Sequence, residues 1–139
     1  MDYEALAGEL LSIRGNLLQV PANQKLSKML RGELFVLNYL DRREGEVHPK
    51  ELSEKMAVST ARIARLLNHM EEKSLVIRLP DPGDSRQIIV QLTPDGAKAV
   101  EGARREVISY LAKMLESLGP EDAGAYIRIQ EKIYQNYLK

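Results

Sequence analysis

At 139 residues, 44% apolar and 29% charged, the chain has the composition of one globular domain, or one compact module with appendages. Twenty basic and 20 acidic residues cancel, which excludes a diffuse polybasic binder and leaves only local cationic patches. With no cysteine, one phenylalanine and no tryptophan, disulfides, thiolate metal ligands and thiol redox switches are excluded, and the core must be aliphatic.

The start, MDYEALAGELL, is acidic and lacks the basic and apolar segments of a signal peptide. No apolar run approaches the roughly 20 residues needed to span a bilayer. The expectation is a cytoplasmic protein with no membrane partner.

Residues 2–18 place Leu6, Leu10, Leu11, Ile13, Leu17 and Leu18 at largely helical spacing. That much leucine needs a surface to pack on. QVPANQ (19–24) reads as a break, and Ser27 can cap a second helix running to about Arg43. Leu30, Leu34, Leu37 and Leu40 would line one face of it, with Phe35 and Val36 widening the face. Arg42 and Arg43 suit the negative end of its dipole, and Gly45 stops it.

Glu46-Val47-His48 reads as a short extended piece, and Pro49 suits the first position of a short helix anchored by Leu52 and Met56. Ala57-Val58 forms a turn, with Ala57 expected in right-handed geometry. Ser59 caps the following helix, where Ile63, Leu66, Leu67 and Met70 recur at i, i+3, i+4, i+7. That helix ends near Ser74.

The period then changes from helical to two. Ile88, Val90 and Leu92 fall on one strand face, Gln87, Ile89 and Gln91 on the other. Pro80, Pro82 and Gly83 mark a hairpin tip between 76–79 and 87–92. Thr93-Pro94-Asp95 combines a cap, a proline at N1 and a first-turn acid. The helix it starts runs to about Leu118, with Val100, Ala103, Val107, Leu111, Met114 and Leu118 on one stripe. Gly119-Pro120 leads into a last helix carrying Ala123, Tyr126, Ile127, Ile133, Tyr137 and Leu138.

Helix, tight turn, helix and hairpin define a fold class that is mainly α with a small β-wing. It is a winged helix-turn-helix core over residues 26–93, flanked by helical segments 1–25 and 94–139. The flanking stripes exceed what so small a core can cover, so the segments are expected to pair two copies of the chain. Leu6, Leu10, Leu111, Tyr126, Ile133 and Tyr137 are the candidate contacts; the bland alternative is an intramolecular three-helix packing.

On a wheel of about 100° per residue, Arg62, Arg65 and His69 share an exposed face beside the apolar one. Ser59 and Thr60 sit at the N-terminal tip. A helix presented in this way enters the major groove of duplex DNA, where arginine can grip guanine O6 and N7 together. Ser59, Thr60 and the free amides of the first turn suit a phosphate. The tip of the wing is expected to carry Asp84, Ser85 and Arg86. An arginine there can reach a minor groove, and Asp84, two residues earlier, can set its orientation.

These residues resemble the MarR family of bacterial winged-helix transcriptional regulators. The likeness covers ELSEKMAVSTARIARLLNHMEEKSLV, the D-x-R signature Asp84-Ser85-Arg86, the LTPDGAKAV run after it, and LSKMLRGELFVLNYLDRREGEVHPKEL upstream. It implies a homodimer on a palindromic operator, usually repressing and often relieved by a small aromatic or anionic effector. Ser59, Thr60, Arg62 and Arg65 would meet the major groove, and Arg86 the minor groove with Asp84 orienting it. Such effectors often bind between the dimerisation helices and the winged core, where Tyr39 or Arg14 could stand, although core packing explains Tyr39 equally well. Two departures are Ala57 and Ser74, each where the family often has glycine.

The competing readings are weaker. Two histidines on different elements, and no HExxH, P-loop or GxSxG motif, argue against an enzyme or a cofactor; the scarcity of histidine and cysteine also weakens a metal centre, although one built on Asp and Glu remains open. A winged helix used for protein binding would share the fold, but it should show an apolar or acidic surface where Arg62, Arg65 and Arg86 stand.

Overall fold

The computed structural model describes residues 1–138; Lys139, the last residue of the expected 94–139 segment, lies outside them. The described residues form seven helices and one two-stranded antiparallel sheet. In chain order these are α1 (Tyr3–Leu17), α2 (Pro21–Met29), α3 (Gly32–Arg42), α4 (Pro49–Met56), α5 (Thr60–Glu72), β1 (Val76–Asp81), β2 (Asp84–Leu92), α6 (Pro94–Leu118) and α7 (Pro120–Tyr137). The mainly helical architecture with a small wing is the expected one.

The chain divides into two compact units, one of residues 1–24 and 107–139, the other of residues 25–106. The second holds most of the core. Val36 and Leu37 from α3, Leu52 from α4, and Ile63, Leu67 and Met70 from α5 are at most 2% exposed. Val76 from β1 and Val100 from α6 are fully buried against the same centre. Burial at this level contributes about 1.5–3 kcal/mol per aliphatic side chain. At the edge of this unit, Lys25 of α2 pairs with Glu106 of α6 at 2.6 Å. That ion pair holds the Glu106 carboxyl below its ordinary range.

The first unit is different in kind. Neither α1 nor α7 buries a residue. Leu6, Leu10, Tyr126 and Ile133 are 40–55% exposed, and Tyr137 is 86% exposed. The α6 stripe loses cover along its length, from Val100 at 0% to Leu118 at 42%, with Leu111 half-buried between them.

Several local expectations are corrected. The helix expected from Ser27 to Arg43 is two helices. Pro21 opens α2 at the supposed break, Ser27 lies inside that helix, and the chain turns at Arg31 and Gly32 (φ +62°). An apolar run that continues in phase across a glycine hides such a turn from periodicity. Leu30 consequently leaves the buried face and is 59% exposed.

Ala57 adopts left-handed geometry (φ 54°, ψ 45°), not the right-handed geometry expected. Ser74 does the same at φ 63°. The turn is nonetheless held firmly: the Val58 amide donates to the Ser53 carbonyl at 3.1 Å, and the buried Ser53 hydroxyl donates to the Val58 carbonyl at 2.5 Å. Left-handed geometry costs an alanine about 1–2 kcal/mol, and exposed Ala57 has no packing to lose. Ala57→Gly is therefore expected to stabilise the fold by about 0.5–1 kcal/mol after the larger unfolded-state entropy of glycine. The midpoint of urea unfolding checks this, and an unchanged or lower midpoint contradicts it.

The strand faces also differ. Ile89 and Val90 are both buried, at 4% and 3%, while Ile88 is 46% exposed. Strand β2 pairs with β1 on one side, and on the other its Val90 amide donates to the Val47 carbonyl at 2.8 Å. The 46–48 segment thus lies beside β2, held by this one backbone hydrogen bond, and Ile89 and Val90, on opposite faces of β2, are both buried.

Candidate nucleic-acid interface

Helix α5 is positioned by its apolar side. Ile63, Leu67 and Met70 are 0–1% exposed, so the opposite face is forced outward. Ser59 is the N-cap, and its hydroxyl accepts from the Arg62 amide at 3.1 Å. One first-turn donor is thereby satisfied, leaving other amides of that turn for an external anion. Thr60, Arg62, Arg65 and His69 are all exposed, as the wheel predicts.

Some arginines of the chain are neutralised by carboxylates and others are not. Among the described residues, Arg43 pairs with Glu51 at 2.9 Å, Arg78 with Glu71 at 3.1 Å, Arg86 with Asp84 at 3.1 Å and Arg105 with Glu101 at 3.4 Å. No carboxylate among them pairs with Arg62 or Arg65. Arg14, Arg31, Arg42, Arg104 and Arg128 have no ion pair among the described residues either, so what marks α5 is that two unpaired guanidinium groups, Arg62 and Arg65, share one outward face of the helix.

The wing expectation needs one correction. Asp84, Ser85 and Arg86 do not form the hairpin tip; that is Pro82-Gly83, and the triplet opens β2. Pro80 pairs with Ile88 and Asp81 pairs with Asp84, so Ser85, Arg86 and Gln87 have no opposite residues on β1. They form a bulge, which directs Arg86 away from the ladder with its side chain 89% exposed. Asp84 accepts from both the amide and Nε of Arg86 at 3.1 Å. The same contact holds the Asp84 carboxyl below its ordinary range.

Arg78 on β1, not singled out from the sequence, fixes the wing to α5. Its guanidinium donates to Asn68 at 2.5 Å and to Glu71 at 3.1 Å, and its amide donates to Glu71 at 3.2 Å. The Arg78 contacts hold Glu71 low.

A cleft of about 570 Å³ lies along the other flank of α5, floored by Phe35, Met56 and Leu66. Arg31 and Lys55 line it together with Arg62 and Arg65. Sequence spacing gave no sign of this grouping, because the cations come from three elements with no common period. Of the two residues considered for an effector pocket, Tyr39 stacks on Phe35 at 6.1 Å and donates to Glu51. Burial, then that bond, pushes its phenol upward. Arg14 is exposed on α1, in the other unit.

A helix-turn-helix with a cationic second helix, a strand pair behind it and an arginine on the wing define a winged helix-turn-helix protein. A family model described as MarR family matches residues 27–87, from α2 into β2. The HTH-type transcriptional regulator YdgJ of Bacillus subtilis is 27% identical over 106 residues, 76% of this chain and 63% of that protein. The multiple antibiotic resistance protein MarR of Salmonella typhimurium is 33% identical over 88 residues, 57% of this chain and 61% of that one. The matched stretch spans about three-fifths of the length of these curated relatives. The structure of a MarR family protein from Bacillus stearothermophilus matches with a TM-score of 0.78 over 100% of this chain and 99% of that one, at 24% identity. Over residues 27–87 the chain is similar to the MarR family, and its fold is that of MarR-type winged helices. No helix among the described residues is long and apolar enough to cross a membrane.

Proposed function

We propose that the protein is a sequence-specific, non-enzymatic DNA-binding transcriptional regulator, a repressor that acts as a homodimer on a palindromic operator. The observation that carries this reading is the pair Arg62 and Arg65. They stand without a carboxylate partner on a helix face forced outward by a fully buried opposite face. Arg62 and Arg65 read base edges in the major groove, with His69 further along the same face. Ser59, Thr60 and the first-turn amides hold a phosphate. Arg86, held by Asp84 on the bulge with Ser85 beside it, enters the minor groove.

Dimerisation follows from the exposed apolar surface of the terminal helices. Leu6, Leu10, Tyr126 and Ile133 keep about half their surface exposed and Tyr137 most of it, while Leu111 is half-buried. Exposure on this scale usually marks a partner surface, and a second copy offers the matching stripes. A two-fold dimer sets its recognition helices about 34–36 Å apart, one turn of DNA, so the operator is a palindrome. Light scattering at micromolar concentration is expected to give twice the 15.7 kDa chain mass. Selection from a random duplex pool is expected to return inverted repeats with half-sites one turn apart. A monomer, or selected sites with no dyad, would contradict this account.

The cleft beside α5 suits a small aromatic anion, with Phe35, Met56 and Leu66 for the ring and Arg31 and Lys55 for the charge. Because Arg62 and Arg65 line the same cleft, such an effector would compete directly with DNA.

A further inference from the structure

We infer that Glu46, His48 and Asp81 form a binding site for a first-row divalent transition-metal ion of the Zn²⁺ class, which clasps the wing to the start of the helix-turn-helix. This revises the sequence expectation of no metal. That expectation rested on the scarcity of histidine and cysteine and left acidic ligands open, but the sequence could not show that folding brings residues 46 and 81 together.

Each ligand is placed by a separate structural constraint. Val47 is 2% exposed and its carbonyl accepts from the Val90 amide at 2.8 Å, which anchors the segment beside β2, and the His48 backbone is extended. In an extended segment, side chains two apart share a face. Burying Val47 therefore sets Glu46 and His48 together on the other side. His48 is also the N-cap residue of α4, so its backbone is held from the helix as well. Asp81 ends β1 with its side chain only 11% exposed. Its Oδ1 accepts from the Gly83 amide at 2.8 Å, which leaves Oδ2 facing His48 Nε2 at 2.6 Å.

One ligand atom from each of the three residues lies within 4.8 Å of the others. Metal–ligand bonds of about 2.0–2.2 Å put neighbouring ligands of a tetrahedral ion about 3.4 Å apart. Forming the site therefore closes the largest ligand separation by no more than about 1.4 Å, shared between the side chains. The ion takes the place of the hydrogen bond between His48 and Asp81, while the Gly83 amide continues to orient the Asp81 carboxylate. One imidazole nitrogen with two carboxylate oxygens suits Zn²⁺ better than a soft copper(I) or a purely oxygen-bound Ca²⁺. The fourth position is open to water. No thiol is needed, which fits a chain without cysteine.

Both ends of the site bear on the wing. Asp81 precedes the Pro82-Gly83 tip, and the segment 46–48 leads directly into α4. A bound ion would tie the tip strand to the helix-turn-helix more tightly than one hydrogen bond can.

The test uses the full chain stripped with a chelator and dialysed, titrated calorimetrically with Zn²⁺ alone. One saturable ion per chain is expected. His48→Gln and Asp81→Asn should each weaken binding by at least about tenfold, and Glu46→Gln by less. His69→Gln should leave Zn²⁺ binding unchanged. Two readouts need no variant. The chain has two histidines, and Zn²⁺ should shift the ring NMR signals of His48 but not His69. Exchange of the Gly83 amide should slow when the ion binds. Absence of saturable binding up to about 1 mM (a Kd above which the interaction is under about 4 kcal/mol) would overturn the inference. So would equal shifts at both histidines, or undiminished binding in folded His48→Gln; the cluster would then be an ion pair only.

Discussion

Replacing Gly96 with alanine is expected to destabilise the winged helix by about 3 kcal/mol. A Cβ at this position would lie 2.1 Å from the Leu75 carbonyl oxygen and 2.8 Å from Leu92 Cδ1. The Leu92 side chain can move, but the carbonyl cannot. Leu75 O accepts the Thr93 amide at 3.1 Å, and the Thr93 hydroxyl, whose proton goes to the Ser74 carbonyl at 2.6 Å, lies 3.0 Å from Leu75 O. The same hydroxyl accepts from the Gly96 amide at 2.9 Å as the cap of α6. The methyl group therefore forces apart the junction where the wing hands over to α6. Gly102, on the same helix, has nothing within 4 Å of its virtual Cβ. Gly102→Ala is expected to stabilise by up to about 1 kcal/mol through helix propensity. Opposite signs for one chemical change, read as urea midpoints, distinguish close approach from propensity. A Gly96→Ala variant within about 0.5 kcal/mol of the parent would mean that the junction yields freely.

Arg65→Ala is expected to lower discrimination between operator and scrambled duplex by about 1–3 kcal/mol, roughly 5- to 150-fold. Arg65 lies on the outward face of α5 with no carboxylate among the described residues to hold it back. Arg86→Ala is expected to weaken binding to both duplexes, with less effect on the ratio, because a wing arginine senses groove shape and phosphate potential more than base edges. Asp84 keeps Arg86 oriented, and the depressed Asp84 carboxyl gives the sign of its pH dependence. The contact is fully present above the ordinary aspartate pKa of about 3.9. It fades only as pH falls through the lower folded value. Titrating both variants on both duplexes tests the division of roles. Equal changes in specific and non-specific binding for Arg65→Ala would contradict it.

What could be read from the sequence was local and periodic. The i, i+3, i+4, i+7 spacing of Ile63, Leu66, Leu67 and Met70 located α5 and its outward arginines. Thr93-Pro94-Asp95 located the start of α6, because capping is chemistry confined to a few consecutive residues. What could not be read depended on backbone states and on contacts distant in sequence. Gly32 sits in a run whose apolar phase continues through it, so the turn between α2 and α3 left no trace. Ala57 has a side chain compatible with either handedness, and only the folded turn selects the left-handed one. The bulge at Ser85, Arg86 and Gln87 is a mismatch between strand lengths, visible only once β1 and β2 are paired. The grouping of Arg31 and Lys55 with Arg62 and Arg65, like that of Glu46 and His48 with Asp81, joins elements that share no period. Zero net charge proved a narrow constraint. It says nothing about where the neutralised pairs lie, and neither Arg62 nor Arg65 of α5 is in one among the described residues.

The most direct test of the account is equilibrium binding of the full chain to a pool-selected duplex as salt is raised. Each phosphate contact should contribute about −0.9 to the slope of log K against log salt. A dimer engaging first-turn amides, Arg62, Arg65 and Arg86 on both halves should therefore show a steep, many-contact slope. Salt-insensitive binding, or no binding to any duplex in the pool, would contradict a DNA-reading function and favour a winged helix that binds protein.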